Sequence, residues 1–524
     1  DTWAGGAERV LHLQDAAKAA RSFRQSCLDN SLLDLSLVIE VFDTQLVQHP
    51  EFQRYFSERY RHLIVDNVEE FTPAGQNFVH NLLTATETTA IAYDAGGGYK
   101  RFMAADPAGA ARFRTRSQYV FEFGPSFVAP PEMDHLANLV ENHLLHTSKP
   151  TIDAEQAMMG VVNGRYRREM IASLIPHLQA IINEDGVHPS QIAIITPYLD
   201  GALRYGLTQA LKQAGLPYFL LRRRSSPREE PRVRAWLTWL ALAHPDWDVH
   251  PSTYDVAEAL TLSIHDLDPA RAELLTERLY RPEIPDLLPI GELPDRLVER
   301  VDMKFAGLVE ELRLWLADGN GRGDIRQAQP PIDAFLYNLF NQLLSQKRFQ
   351  PTPDVAGAAV CDWLVQSAAR LRQSAHMMGL RSAAEIGRTF IDGINQGLVT
   401  ANPPDLGDPP DPDGIMISTI YGYLLGGRPV HVQVWLETAA QGWWNIPNQP
   451  LSNAFVLAQS WDSQKQWTLD EDFYIRNQLL SRIIRGLTAR CTGGVILANS
   501  DLDRRGQRQE GPLWRALQPI RQTF

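Results

Sequence analysis

The sequence predicts an α/β fold, a parallel sheet of alternating strands and helices with a long helical block set into it. Three features predict this. Short apolar runs alternate with helix-length amphipathic stretches, the signature of parallel strand–helix–strand units. The alternation occurs just after residue 60 and again between 169 and 221. It stops for a helical, proline-punctuated stretch, 246–399, and resumes after residue 414.

The elements follow in order. Residues 1–59 read as helices, with apolar spacing in Leu32–Val47 and a break at Pro50. Arg61–Asp66 (RHLIVD) is an apolar run ending in an acid, followed by a helix over Gln76–Leu83 and a strand over Thr88–Asp94. Further on, a helix over Glu169–Asn183 is broken by Glu184-Asp185-Gly186, and Ile192–Thr196 is a strand. Asp200–Ala214 is a helix ended by Gly215, and Tyr218–Leu221 is a strand. Trp236 and Trp239, three apart on one helix, read as core. Ala401–Gly414 (ANPPDLGDPPDPDG) reads as a linker, and strands resume at Gly414–Ile420, Val430–Trp435 and Gly494–Ala498.

Bulk properties bound the function. At 524 residues the chain calls for several domains. A composition of 44% hydrophobic and 21% charged residues is that of a globular protein. The longest apolar runs, such as Ala235–Ala243, are too short to cross a bilayer, so no membrane partner is expected. Cys27, Cys361 and Cys491 lie far apart, with neither metal-type pairing nor a disulfide framework, which fits a cytoplasmic setting. A net charge of −12 argues against whole-surface attraction to nucleic acid but leaves room for a local basic track. The start, DTWAGGAERV, has no initiator Met and reads as a cut from a longer chain.

Six segments, in order, carry a family resemblance. His62–Gln76 (HLIVDNVEEFTPAGQ) is similar to a Walker B segment, and Ala92–Phe113 (AYDAGGGYKRFMAADPAGAARF) to a Gly-Asp-x-x-Gln motif. Phe123–Val140 falls where an Asn-Tyr-Arg-Ser segment would lie. Ala214–Tyr218 with Glu230–Leu240 is similar to the opening of a second motor domain's insertion. Ile417–Val434 is similar to Ser-Thr-Ile-His-x-x-Lys-Gly-Leu-Glu, and Arg482–Leu497 to the Thr-Arg-Ala-Arg motif. Together they resemble superfamily I DNA helicases of the UvrD/Rep type. The resemblance implies two RecA-like domains of the P-loop NTPase type with a mostly helical inserted domain. The first would span 60–125, with 1–59 as a helical side domain; the second would span 126–245 and 400–524, with 246–399 inserted.

It also implies roles. Hydrolysis of ATP needs Mg²⁺ on a Walker B acid, a P-loop, a group that aligns water and an arginine for the transition-state charge. Asp66 matches the metal-side acid and Arg490 the arginine finger, while Asp94, Gly97 and Thr419 fall on nucleotide-binding positions. The water-activating Glu is replaced by Asn67, which takes no proton at neutral pH. The γ-phosphate-sensing Gln falls on Gly97, the fourth motif's Arg on Pro125, and the fifth motif's Lys and Glu on Leu424 and Gly427; the final family Arg is Thr492. No GxxxxGK[ST] occurs, and the family's P-loop would lie upstream. The Gly96-Gly97-Gly98-Tyr99-Lys100 run reads as a tight turn rather than a phosphate loop.

For DNA, Phe102 matches an aromatic beside the base-stacking region, with Tyr99 and Lys100 offset from the stacking position. Arg222, Arg223, Arg224, Arg228, Arg232 and Arg234 make either a phosphate-contacting strip or a solvated run partly neutralised by Glu229 and Glu230. Asp66 could equally cap the next turn, and Arg490 could be a surface arginine. The expectation is a DNA-binding, helicase-like protein or subunit of repair or recombination, alongside a nuclease or helicase partner, with ATP hydrolysis lost. Two alternatives stay open: an active ATP-dependent helicase, and a protein–protein scaffold without nucleic acid.

Overall fold

A computed structural model describes residues 6–124, 126–221, 227–283, 286–318, 330–399, 413–446, 453–462, 464–465 and 467–522. The chain forms two compact units, one from Asp1–Leu221 with Pro409–Phe524, the other from Arg222–Asp408.

The first unit holds two parallel sheets. The smaller pairs β1 (His62–Val65) with β2 (Thr88–Ile91) in register His62–Thr88 through Val65–Ile91. The larger has six strands: β3 (Met158–Gly164), β4 (Ile192–Thr196), β5 (Tyr218–Leu220), β8 (Ile415–Thr419), β9 (Val430–Leu436) and β10 (Cys491–Ser500). Their spatial order is β3-β10-β9-β4-β8-β5, every pair parallel. Along β4 the side chains alternate between faces. Ile192 and Ile194 pack with helices Arg167–Asn183 and Gly201–Gln213; Ala193 and Ile195 pack with helices Pro131–Leu145 and Leu469–Thr488. Both faces are therefore covered, as a parallel sheet requires. The mixed α/β class with a central parallel sheet is as expected. Strand β3 was not foreseen. The N-terminal helices are Gly6–Asp29, Leu35–Val41 and Pro50–Arg59, and Pro50 starts its helix rather than only ending the previous one.

The second unit is helical around a core containing Trp236, Trp239, Trp247, Phe335 and Leu364. A two-strand antiparallel ribbon, β6 (Tyr280–Arg281) with β7 (Asp286–Leu287), completes it. The expected boundary at 245/246 needs correction. Helix Pro231–Ala243 buries nearly every side chain from Val233 to Ala243 in this helical core, so it belongs to the second unit. Its apolar run fits either neighbour by pattern alone, and packing decides.

Candidate functional site

The site is built on the carboxyl ends of β1 and β2, where ligands sit in open α/β sheets. Asp66 leaves β1 and Asp94 follows β2, on the same rim. The Asp66 carboxylate accepts from the Asn67 backbone N–H at 2.9 Å and from Asn67 Nδ2 at 3.2 Å. Asn67 holds this turn in the left-handed region, φ 51°. Asp94 folds the next turn, its Oδ1 accepting from Gly96 N–H at 2.8 Å.

Two glutamates that the sequence pattern did not single out organise this rim. Glu69 is buried and its Oε2 accepts from the Asp94 N–H at 3.1 Å. Burial pushes its carboxyl above the ordinary range, and the charges of Asp94 and Glu70 add to that. Glu70 accepts three successive backbone N–H groups, Gly98 at 3.0 Å, Tyr99 at 2.7 Å and Lys100 at 3.0 Å. The glycine run is thus a turn whose amides form an anion cradle, and the chain's own carboxylate fills it. Gly98 has φ 85° and lies against Pro107, so a side chain there meets both strain and a clash. The available signal was an acid pair after one strand and a glycine run after the next.

The larger sheet faces this rim through helix Leu469–Thr488. Arg482 Nη1 donates to the carbonyls of Gly97 and, at 3.3 Å, Ala95. Gly486 has no room for a Cβ because the Tyr99 ring lies on it. Arg490 reaches the same ring, its guanidinium 6.0 Å from the Tyr99 centroid, while its Nη1 donates to Gly486 O at 2.8 Å. Asp94, Gly97 and Arg490 therefore meet at one loop, 94–100, while Asp66 ends the neighbouring strand and, among the described residues, bonds only Asn67.

Other expected residues do different work. Thr419 caps helix Ile420–Gly426, its Oγ1 accepting from Gly422 N–H at 3.2 Å. Phe102 meets Tyr421 edge-on at 4.9 Å between centroids. Leu424 is core, Gly427 packs on Tyr423, and Thr492 Oγ1 bonds His431. Arg232 pairs with Asp354 and Arg234 with Glu258 within the helical unit, which commits two cations of the expected strip. Arg222, Arg223, Arg224 and Pro125 lie outside the described residues.

A second polar cluster, also not foreseen, lies at the carboxyl ends of β3, β4 and β9. Arg167 forks onto the carboxylate of Glu437, which is 2% exposed, and bonds Asp200 at 2.7 Å. Burial pushes Asp200 up, but the Leu203 N–H and Arg167 together pull its carboxyl below the ordinary value.

As ligands for Mg²⁺ and ATP these groups fit poorly. Among the described residues no three acids, histidines or cysteines gather as a metal site. Asp66 is bonded to Asn67, Gly97 offers no side chain to sense a phosphate, Leu424 is apolar and buried where a lysine was expected by resemblance, and the nearest amide cradle holds Glu70. No family model matches the chain, and no curated protein matches it. Among the described residues, no helix is long and apolar enough to cross a membrane.

Proposed function

We propose that this chain is a helicase-like DNA-binding protein, built on two RecA-like lobes, that no longer hydrolyses ATP and serves DNA repair or recombination beside a catalytic nuclease or helicase subunit. The observation that carries the reading is the convergence on loop 94–100. Asp66 and Asp94 end adjacent parallel strands, and Arg490 reaches the same loop from the other sheet. An arginine acting across a gap between two α/β lobes is the layout of phosphoryl-transfer motors. Loss of turnover follows from chemistry: Asn67 stands where a water-activating carboxylate is needed, and such a group contributes about two to four orders of magnitude.

The test is DNA-stimulated ATP hydrolysis by the purified full chain, with binding to single-stranded DNA measured in parallel. The expected result is no stimulated turnover together with salt-sensitive binding. Turnover of about one per second or faster, a typical enzyme rate, would restore the active-helicase reading. Absence of binding at low salt would favour the scaffold reading.

A further inference from the structure

We propose that Arg112–Phe123 is a binding strip for single-stranded nucleic acid, with Arg114 and Arg116 meeting phosphates and Tyr119, Phe121 and Phe123 stacking on bases. This deepens the DNA-binding reading above and rests on it.

The rings come first. Tyr119 is 72% exposed, Phe121 81% and Phe123 79%, at alternate positions of a segment that pairs with no strand among the described residues. Aromatic side chains are ordinarily held inside, so several standing in water within five residues mark an interaction surface. Alternating rings suit a ligand that offers a series of flat faces, and bases provide them without regard to sequence.

Charge selects nucleic acid among the possible occupants. From Pro107 to Pro131 the chain carries three arginines and one acid, Glu122, in a protein of net charge −12. Arg112 and Arg116 crowd His80: burial and then these two arginines hold its imidazole below the ordinary value. Burial, then Arg116, likewise lowers Arg112. Arg112 donates to Asn77 and Gln459, both neutral, while its Nε and His80 Nδ1 are buried without a partner among the described residues. Those two atoms lie out of reach of a ligand and Asp106 partly offsets Arg112, so it is the exposed Arg114 and Arg116 that present charge to a polyanion. Arg114 pairs with Glu122, an exposed contact that a phosphate can replace.

The experiment titrates full-length chain against fluorescently labelled oligo-dT over a range of salt. Arg114→Ala/Arg116→Ala should lower the salt slope by about 1.4, near 0.7 for each phosphate no longer neutralised. Phe121→Leu/Phe123→Leu, which stays apolar but loses both ring faces, should weaken binding about tenfold or more at unchanged slope. Phe121→Tyr/Phe123→Tyr should bind like the parent and controls for folding. If the leucine pair binds as the parent does, the strip is not a stacking surface. If neither the arginine nor the leucine pair changes binding, DNA binds elsewhere; the strip is refuted and the helicase-like reading stands. If the parent itself binds no oligo-dT at low salt, both fall.

Discussion

The six-stranded sheet and the two-stranded sheet of the first unit are both parallel and both end in acids, yet they treat those acids differently. Helices cover both faces of the larger sheet, and Ile192, Ile194 and Ile195 on β4 are wholly buried. In the smaller sheet Val65 joins a modest core with Val68, Val79, Ala110 and Phe113, while Ile64 is 83% exposed. The consequence appears at the strand ends. Glu437, after β9, is sealed and needs Arg167; Asp66, after β1, stays in water and bonds its neighbour Asn67. Strand-end chemistry is local, but whether an acid becomes a buried structural ion or an accessible ligand depends on what covers the sheet.

The largest effect that tests this contrast is at Arg167. Arg167→Ala leaves Glu437 buried and unpaired, so urea unfolding should show a loss of about 3–5 kcal/mol. A loss below about 1 kcal/mol would mean the carboxyl edge of the larger sheet is as wet as that of the smaller one. Next comes one substitution made in both sheets. Ile194→Thr should cost about 2–3 kcal/mol, because it removes packing and buries a hydroxyl. Ile64→Thr should change stability by no more than about 0.5 kcal/mol, as exposed positions do. Equal costs would break the comparison.

A pH-dependent effect sharpens it at Glu69, a buried acid on the small sheet's rim. Its pKa is raised, chiefly by desolvation, so its contribution to stability is complete below the ordinary carboxyl pKa and is lost as pH rises through the folded value. Glu69→Gln should therefore melt with the parent at pH 3 and above it at pH 7, by about 1 kcal/mol at most. A variant less stable at pH 7 would show that the charge, not the hydrogen bond to Asp94, is what the rim needs.

Much of this architecture is legible in sequence where local pattern decides. Strand β4 falls on Ile192–Thr196 as expected, because Gly186 and Asp200 bracket an unbroken apolar run. Strand β3 escaped because Gly160, Asn163 and Gly164 interrupt its pattern. Helix Pro231–Ala243 was legible as a helix but not as a member of the second unit, since apolar faces do not name their partners. At the site, Asp66 and Asp94 were readable as strand-end acids. The roles of Glu70 and Arg482 were not, because each acts on backbone groups 28 to 30 or 385 to 387 residues away. Arg232 and Arg234 read as part of either a phosphate strip or a solvated run eased by Glu229 and Glu230; their partners, Asp354 and Glu258, lie too far along the chain for local pattern to name.

The carboxylate seated on the Gly98, Tyr99 and Lys100 amides has a kinetic and thermodynamic side. Because Glu70 belongs to the same folded chain as its seat, 28 to 30 residues along, it competes at an effective concentration of roughly millimolar or more. Any anion from solution would have to displace it to reach these amides. Glu70→Gln would release that competitor's charge without changing its shape, turning an occupied seat into one open to exchange.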